Sequence, residues 1–292
     1  MAYFFQLTMT GLSMGLIYAT VAMGIMLLFS AAGVMNFAQG SLLARGAYIG
    51  WALMYRWNLP SWPVRILLML LILIAVGAIF CSLCFLPFKR AKWRQAMLIC
   101  TLGMAVILPE VCMLFITSEQ QRMDPIVSGS ISIGAFSLSY QYVIIFVVMI
   151  SVMLGLYILF EKTYCGNILT AASQDKYAAD LLGIPTDLTT IITFCMVVVL
   201  VGFSGWLIAP IFLVRTTLST FQSKAFASII IGGYGTLKGA IIGGIIVGLL
   251  EAYSSFFTTI YQDIIIYGAL LIMLAVRPTG LVRNLTSANQ KA

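Results

Sequence analysis

The sequence predicts an all-α protein, a polytopic integral membrane bundle with about eight transmembrane segments, one of them a broken or half-length helix. Two observations lead to this class: 62% of the 292 residues are hydrophobic, and only 9% are charged. A helix needs about 20 mainly apolar residues to cross a bilayer, so this length leaves no room for a sizeable soluble domain. We therefore expect residues 1–292 to form one membrane domain in the lipid bilayer.

The charged residues exclude several other classes of protein. The net charge of +7 comes from basic residues in short loops between apolar runs, as expected for cytoplasmic connections, so we expect no nucleic-acid partner. The chain has no histidine, and its six cysteines are scattered through apolar runs, where Cys81 and Cys84 read as small core residues. We therefore predict no catalytic residue, no metal site and no cofactor.

The first part of the chain predicts five spans separated by short loops. The first span carries Gly11, Gly15 and Ala19 at intervals of four, a stripe of small residues suited to close helix packing. The loop Lys89–Arg94 holds four basic residues in six positions and marks the cytoplasmic side, which places the N-terminus and the loop Glu119–Asp124 outside. The predicted spans are about Tyr3–Ser30, Asn36–Met54, Pro63–Phe88, Met97–Thr117 and Tyr142–Phe160.

The second part predicts a helix over about Leu188–Leu213 and then a half-helix over about Phe221–Ile231, which covers roughly 15 Å. The glycine-rich turn Gly232–Gly239 follows at membrane depth, where irregular backbone is tolerated only if it is buried in protein or lines a cavity. The turn is therefore a candidate part of a pathway. After it come two further spans, the first with Gly244 and Gly248 spaced for close packing and the second over about Thr258–Val276, before the basic cytoplasmic exit Arg277–Arg283.

A polar island, Asn167–Pro185, lies between two long apolar runs. It carries Gln174, Asp175, Lys176 and Asp180, so it must face water or another protein. We predict one helix over about 167–184, ended by Gly183 and Pro185, after which Thr186 and Asp187 can cap the following helix. An ordinary amphipathic loop helix is the competing interpretation of the island.

Two acids lie inside predicted spans. Glu110 follows Pro109, which is expected to kink its helix, and Glu251 lies near the end of the span that carries Gly248. Ionisable residues within a membrane are candidates for function by default. A structural ion pair or an interfacial position is an equally good interpretation of both acids.

Several motifs, in order along nearly the whole chain, identify a resemblance. The segment Tyr177-Ala-Ala-Asp-Leu-Leu-Gly183 resembles the cytoplasmic coupling motif of ABC-transporter permeases, with Tyr177 in place of the usual glutamate. Together with the four motifs that follow, it makes the chain similar to the branched-chain amino-acid permeases of bacterial ABC importers. These motifs are Gly33–Gly40 followed by Gly46-Ala-Tyr48, Gln174-Asp175 with Gly183-Ile184, Gly232–Gly239 and Arg277–Gly280.

The resemblance implies a non-enzymatic permease subunit of the bacterial inner membrane that moves branched-chain amino acids by alternating access. It implies three kinds of partner: two cytoplasmic ABC ATPases, a second and different permease, and a periplasmic substrate-binding protein. The residues implied in ATPase coupling are Asp175, Ala178, Ala179 and Gly183, and those implied in the substrate pathway are Asn36, Gln39, Gly232, Gly233 and Gly235. Two alanines let a helix seat deeply in a groove, which suits the coupling role.

Two positions depart from the family pattern: Ser41 replaces an acid, and Arg45 stands where an apolar residue is usual. They leave open a permease for urea, short amides or another small polar solute of the same superfamily. A different class, an ion-coupled secondary transporter, would use Glu110 and Glu251 and would need ion-ligating groups near the midplane. A membrane scaffold is disfavoured, because an inert bundle gains nothing from a broken helix.

Overall fold

The computed structural model of the chain describes residues 2–57, 61–88, 95–117, 119–133, 136–174, 176–257 and 260–282. The helices are α1 (Ala2–Ala32), α2 (Gln39–Trp51), α3 (Trp62–Cys84), α4 (Gln95–Phe115), α5 (Tyr140–Lys162), α6 (Tyr164–Gln174), α7 (Lys176–Leu181), α8 (Thr186–Phe212), α9 (Phe221–Gly232), α10 (Leu237–Phe257) and α11 (Gln262–Val276). A π-helical turn, Ala52–Arg56, extends α2, and a 3-10 helix, Thr216–Thr220, precedes α9. The predicted helical membrane fold is confirmed.

The number of full-length spans is smaller than predicted. Within the described ranges, six helices are long and apolar enough to cross a membrane: α1, α3, α4, α5, α8 and α10. The apolar helix α11 has 15 residues and covers about 22 Å, short of a bilayer core of about 30 Å. The predicted count of about eight is therefore not confirmed, although the chain is a multi-pass membrane protein.

The half-helix is confirmed. Helix α9 has 12 residues, or about 18 Å, and ends at the glycine turn that leads into α10. The turn needs glycine, because Gly233 has a φ of 121° and Gly235 a φ of 91°. A residue with a side chain at either position would have to adopt a backbone conformation that residues other than glycine rarely occupy.

One element was missed by the sequence interpretation. Strands β1 (Ser130–Ile133) and β2 (Phe136–Ser139) pair antiparallel, with Ser130 opposite Ser139 and Ile133 opposite Phe136. Serine alternates with a large apolar residue along both strands, the period-two pattern of a strand with one apolar face. The two strands have four residues each and lie between the long apolar runs of α4 and α5, so their pattern is short beside its neighbours.

The chain divides into two compact units. The first contains Met1–Met26, Asp124–Ile150 and Thr220–Ala292, and its centre is an antiparallel contact between α1 and α10. A methyl group placed at Gly15 would lie 2.9 Å from the carbonyl oxygen of Gly244, and one at Gly11 would lie 3.0 Å from that of Gly248. The two glycine stripes predicted from the sequence therefore pack against each other, backbone to backbone.

The second unit contains Leu27–Met123 and Ser151–Ser219. Helix α8 is its centre, since α2 and α3 both pack on α8 at positions without side chains. A methyl group at Gly46 of α2 would overlap the backbone of Gly202, and one at Gly77 of α3 would lie 2.8 Å from the Cα of Cys195. This packing fixes the position of α2. Gln39 is the first residue of α2, and Asn36 lies three residues before it.

Candidate functional site

Up to the end of α7, the described residues of the polar island are helical and lie in α6 and α7. Helix α6 begins at Tyr164, directly after α5, and α7 covers Lys176–Leu181. Asp175, predicted to take part in coupling, lies outside the described residues. Of the other residues predicted for coupling, Ala178 is exposed, whereas Ala179 is buried.

Gly183 ends α7 with a Schellman motif. The amide of Ile184 donates to the carbonyl of Ala179 at 3.0 Å, and the amide of Gly183 donates to that of Asp180 at 3.0 Å. The φ of Gly183 is 79°, and a methyl group built there would meet nothing within 4 Å. Gly183 is therefore required by its backbone angle, since the space around it within the chain is open.

Across this turn, the hydroxyl of Thr186 donates a 2.7 Å hydrogen bond to the carboxylate of Asp180. The prediction that Thr186 and Asp187 cap α8 is wrong, because the N-cap residue is Pro185 and no side chain caps it. Thr186 is already the first residue of α8, so its hydroxyl is free to reach back to α7. The hydrogen bond ties α7 to the start of α8.

Part of the exposed surface of the island is apolar. We use the name "island surface" for Tyr177, Leu181 and Leu182, whose side chains are 75%, 72% and 81% exposed. Tyr177 and Leu181 lie four residues apart, so they share one face of α7. Exposed apolar groups of this kind are typical of a surface that contacts another protein or a membrane.

The two pathway candidates at the start of α2 are brought together. Asn36 Nδ2 donates to Gln39 Oε1 at 3.0 Å, and Asn36 Oδ1 accepts the amide of Ala38 at 2.9 Å. Both side chains are buried, and within the described part of the chain the Nε2 of Gln39 has no hydrogen-bond partner. A buried amide donor without a partner is costly, so Gln39 has hydrogen-bonding capacity left for a ligand.

The two positions that depart from the family pattern both contact α4 next to Pro109. Proline has no amide hydrogen, which leaves the carbonyl of Ala105 without its partner in α4. The hydroxyl of Ser41 donates to that carbonyl at 2.8 Å, and Arg45 donates to the carbonyl of Leu108 at 2.8 Å. Ser41 therefore satisfies the carbonyl that Pro109 leaves without a donor, and Arg45 donates to the carbonyl of the residue just before the proline.

The two predicted intramembrane acids differ in their surroundings. Glu110 is exposed on α4, whereas Glu251 is buried in α10. One carboxylate oxygen of Glu251 accepts a hydrogen bond from the hydroxyl of Tyr18, and the other binds the ammonium of Lys224 in α9. Glu251 is therefore half of an ion pair.

Lys224 was missed by the sequence interpretation. It lies inside the half-helix, 27 positions before Glu251, with no acid at helical spacing to suggest a partner. Its ammonium also lies 3.4 Å from Asp263 Oδ1 and 5.9 Å from the centre of the Tyr18 ring. The signal that could have found it is a lone lysine within an apolar helix.

The glycine turn is packed by backbone. A methyl group at Gly232 would overlap the carbonyl of Gly239, and one at Gly233 would overlap that of Val282. The amide of Val282 donates to the carbonyl of Gly232 at 2.8 Å. Gly232 and Gly233 are thus buried within the chain, while Gly235 is exposed.

Comparison with known proteins identifies the family of the chain. The chain is 28% identical to the high-affinity branched-chain amino acid transport system permease protein BraD of Pseudomonas aeruginosa and 29% identical to LivH of Salmonella typhimurium, with 96% of both chains covered in each case. It is 27% identical to a probable branched-chain amino acid transport permease, LivH, of Methanocaldococcus jannaschii, over 89% of this chain and 87% of the relative. The family described as the permease component of branched-chain amino acid transport systems matches residues 7–274. The chain belongs to this family of permease components.

Proposed function

We propose that this chain is the transmembrane permease subunit of an ABC importer that carries branched-chain amino acids across the bacterial inner membrane by alternating access. In this proposal a periplasmic binding protein delivers the substrate, and a second, different permease completes the membrane channel. Two cytoplasmic ATPases bind and hydrolyse ATP, so the chain itself is not an enzyme. The family match and the relatives named above support the substrate and the partners.

The observation that carries the proposal is the island surface. Tyr177 and Leu181 project from α7 and Leu182 from the turn after it, between two long apolar helices, which is where a soluble partner can reach a membrane protein. Burial of these side chains in a groove would gain roughly 1.5–3 kcal/mol each. Tyr177 supplies apolar contact at the position where the coupling motif that this segment resembles has a glutamate.

Movement of α7 would pass to α8 through Asp180 and Thr186. The Schellman motif at Gly183 fixes the angle between the two helices, and the hydrogen bond from Thr186 closes the turn from the side. A partner that pulls on α7 therefore pulls on α8, which is the centre of its unit. In our proposal, this is how ATP-driven closure of the two ATPases reaches the pathway.

For the pathway we propose Asn36, Gln39 and the glycine turn. The unused Nε2 group of Gln39 can donate to an oxygen atom of a passing solute. The turn contributes backbone groups around Gly235, which is exposed, while Gly232 and Gly233 hold the turn against the rest of the chain.

An ion-coupled secondary transporter is less compatible with these contacts. It needs acids that can bind and release a coupling ion, whereas Glu251 is paired with the ammonium of Lys224 and accepts a hydrogen bond from Tyr18. Permeases for urea or short amides share the fold and stay as the alternative substrate class.

Uptake into proteoliposomes tests the proposed function. The chain is reconstituted with the second permease, the ATPases and the binding protein encoded in its host, and uptake of radiolabelled leucine is measured. We expect uptake that requires ATP on the side of the membrane where the ATPases lie. This uptake should continue when the ion gradients are collapsed. Uptake that continues without ATP and stops when the gradient collapses would instead support a secondary transporter.

A further inference from the structure

The cluster around Lys224 has more charge than packing requires. A buried ion pair replaced by apolar residues of similar size is often equally stable or more stable, so Lys224 and Glu251 are not needed simply to hold α9 on α10. Lys224 also lies in the first turn of α9, where the positive end of the helix disfavours a cation. A costly charge that packing does not need is best explained by a ligand.

The cluster also has one carboxylate too many. Glu251 and Asp263 both face the single ammonium of Lys224, but they are not equivalent. The Glu251 side chain is 12% exposed and in direct contact with Lys224, whereas Asp263 is 65% exposed and its oxygen lies 3.4 Å away. Asp263 is therefore the looser partner and leaves a negative charge open to an incoming cation.

We propose that Lys224 and Asp263 form a binding site for the charged end of a zwitterionic α-amino acid. Lys224 binds the carboxylate of the substrate, and Asp263 binds its ammonium. A zwitterion carries both charges next to one carbon atom, so insertion between these two side chains replaces one weak contact by two charge-assisted hydrogen bonds. Glu251 holds Lys224 through the ion pair, and Tyr18 donates a hydrogen bond to Glu251.

The position of the site fits the direction of import. Glu251 lies near the C-terminal end of α10, and Asp263 lies in the first turn of α11. With the N-terminus outside, as the basic loops predict, the antiparallel contact of α10 with α1 directs these ends of α10 and α11 outward. The site then faces the side from which a binding protein would release its substrate.

The assignment rests on the proposed function and narrows it. A site with one ammonium and two carboxylates gains two ion pairs from a zwitterion, but little from an uncharged solute such as urea. It thereby favours amino acids over short amides, the alternative that the sequence left open.

The test measures leucine carried per ATP hydrolysed in the reconstituted complex of permeases, ATPases and binding protein. Asp263→Asn removes the partner of the ammonium but leaves the Lys224 pair with Glu251 intact, so folding is not at risk. We expect a fall of about tenfold or more, because a contact to a charged group is lost. Glu119→Gln, which removes an exposed acid predicted on the same outer side, should leave the ratio unchanged.

A second variant separates a ligand role from a structural one. The double change Lys224→Met with Glu251→Gln removes both charges of the pair and keeps an oxygen atom that accepts the hydrogen bond of Tyr18. We expect a folded complex that still hydrolyses ATP but carries less than a tenth of the leucine. Normal leucine transport by this double variant would show that the charges serve packing alone.

The outcomes distinguish the two proposals. Absence of ATP-driven leucine uptake by the wild-type complex would overturn the proposed function, and this assignment with it. Normal uptake by the wild type, together with an unchanged ratio for Asp263→Asn, would overturn this assignment alone.

Discussion

Thr186, the first residue of α8, donates its hydroxyl hydrogen to the carboxylate of Asp180, near the end of α7, at 2.7 Å. This hydrogen bond spans the Gly183 turn and links the island to the helix at the centre of its unit. If α7 is the lever of an ATP-driven permease, then this link transmits its movement. It can be removed without changing the shape of either helix.

Thr186→Val removes the hydroxyl and preserves the shape of the side chain. We expect the variant to reach the membrane and to hydrolyse ATP, but to carry less leucine per ATP, because a hydrogen bond to a charged acceptor worth about 1.5–3 kcal/mol is lost. Thr193→Val is the matched control, since the hydroxyl of Thr193 bonds only within α8, to the carbonyl of Thr189. Equal ratios of leucine to ATP in the two variants would contradict the role of this link.

Gly183 permits a second test of the island. Gly183→Asn should behave almost like the wild type, because asparagine tolerates a positive φ and the space around the residue is open. Gly183→Trp should insert into the membrane but uncouple ATP hydrolysis from transport, because the indole obstructs the surface on which a partner docks. The assignment of α7 as a lever is wrong if the tryptophan variant retains both transport and stimulated ATP hydrolysis.

The contact of α1 with α10 predicts where the chain cannot accept a side chain. Gly244→Leu should prevent folding or lower the free energy of unfolding by about 3 kcal/mol or more, because the new side chain would overlap the backbone of Ala19. Gly103→Leu is the control, since a methyl group at Gly103 meets nothing within 4 Å. Thermal unfolding of the purified proteins in detergent should separate the two, and equal stability would contradict the close contact.

We expect the effects of Ser41→Ala and Pro109→Ala on the free energy of unfolding to be coupled, because both changes act on the carbonyl of Ala105. Ser41→Ala leaves the carbonyl of Ala105 without its donor and should cost about 1–3 kcal/mol. Pro109→Ala restores the amide that this carbonyl would normally accept, so Ser41→Ala should cost much less in that background. A double-mutant cycle of unfolding free energies measures the difference, and additive effects would contradict the account of Ser41.

Contiguous sequence patterns predicted the features that depend on them. Apolar runs indicated the long helices, glycine spacing predicted close packing of the first span and of the span that carries Gly244 and Gly248, and a short run followed by glycines predicted the half-helix α9. These signals sufficed because burial in lipid requires a helix to satisfy its own backbone.

Features that depend on residues far apart in the sequence were missed. The partner of Glu251 is Lys224 on another helix, and Ser41 serves a carbonyl 64 positions away. No periodicity within one segment encodes such pairs. The hairpin Ser130–Ser139 was missed for another reason, since strands of four residues are short beside the neighbouring apolar runs.

Photo-crosslinking at position 177 tests the central claim most directly. A photoreactive phenylalanine is placed at Tyr177 in the assembled transporter, and the same group at Tyr157, on the exposed face of apolar helix α5, serves as the control. We expect illumination to join the chain to an ATPase subunit from position 177 and not from position 157. An intact, ATP-hydrolysing transporter in which position 177 gives no ATPase adduct would contradict the account of the island surface.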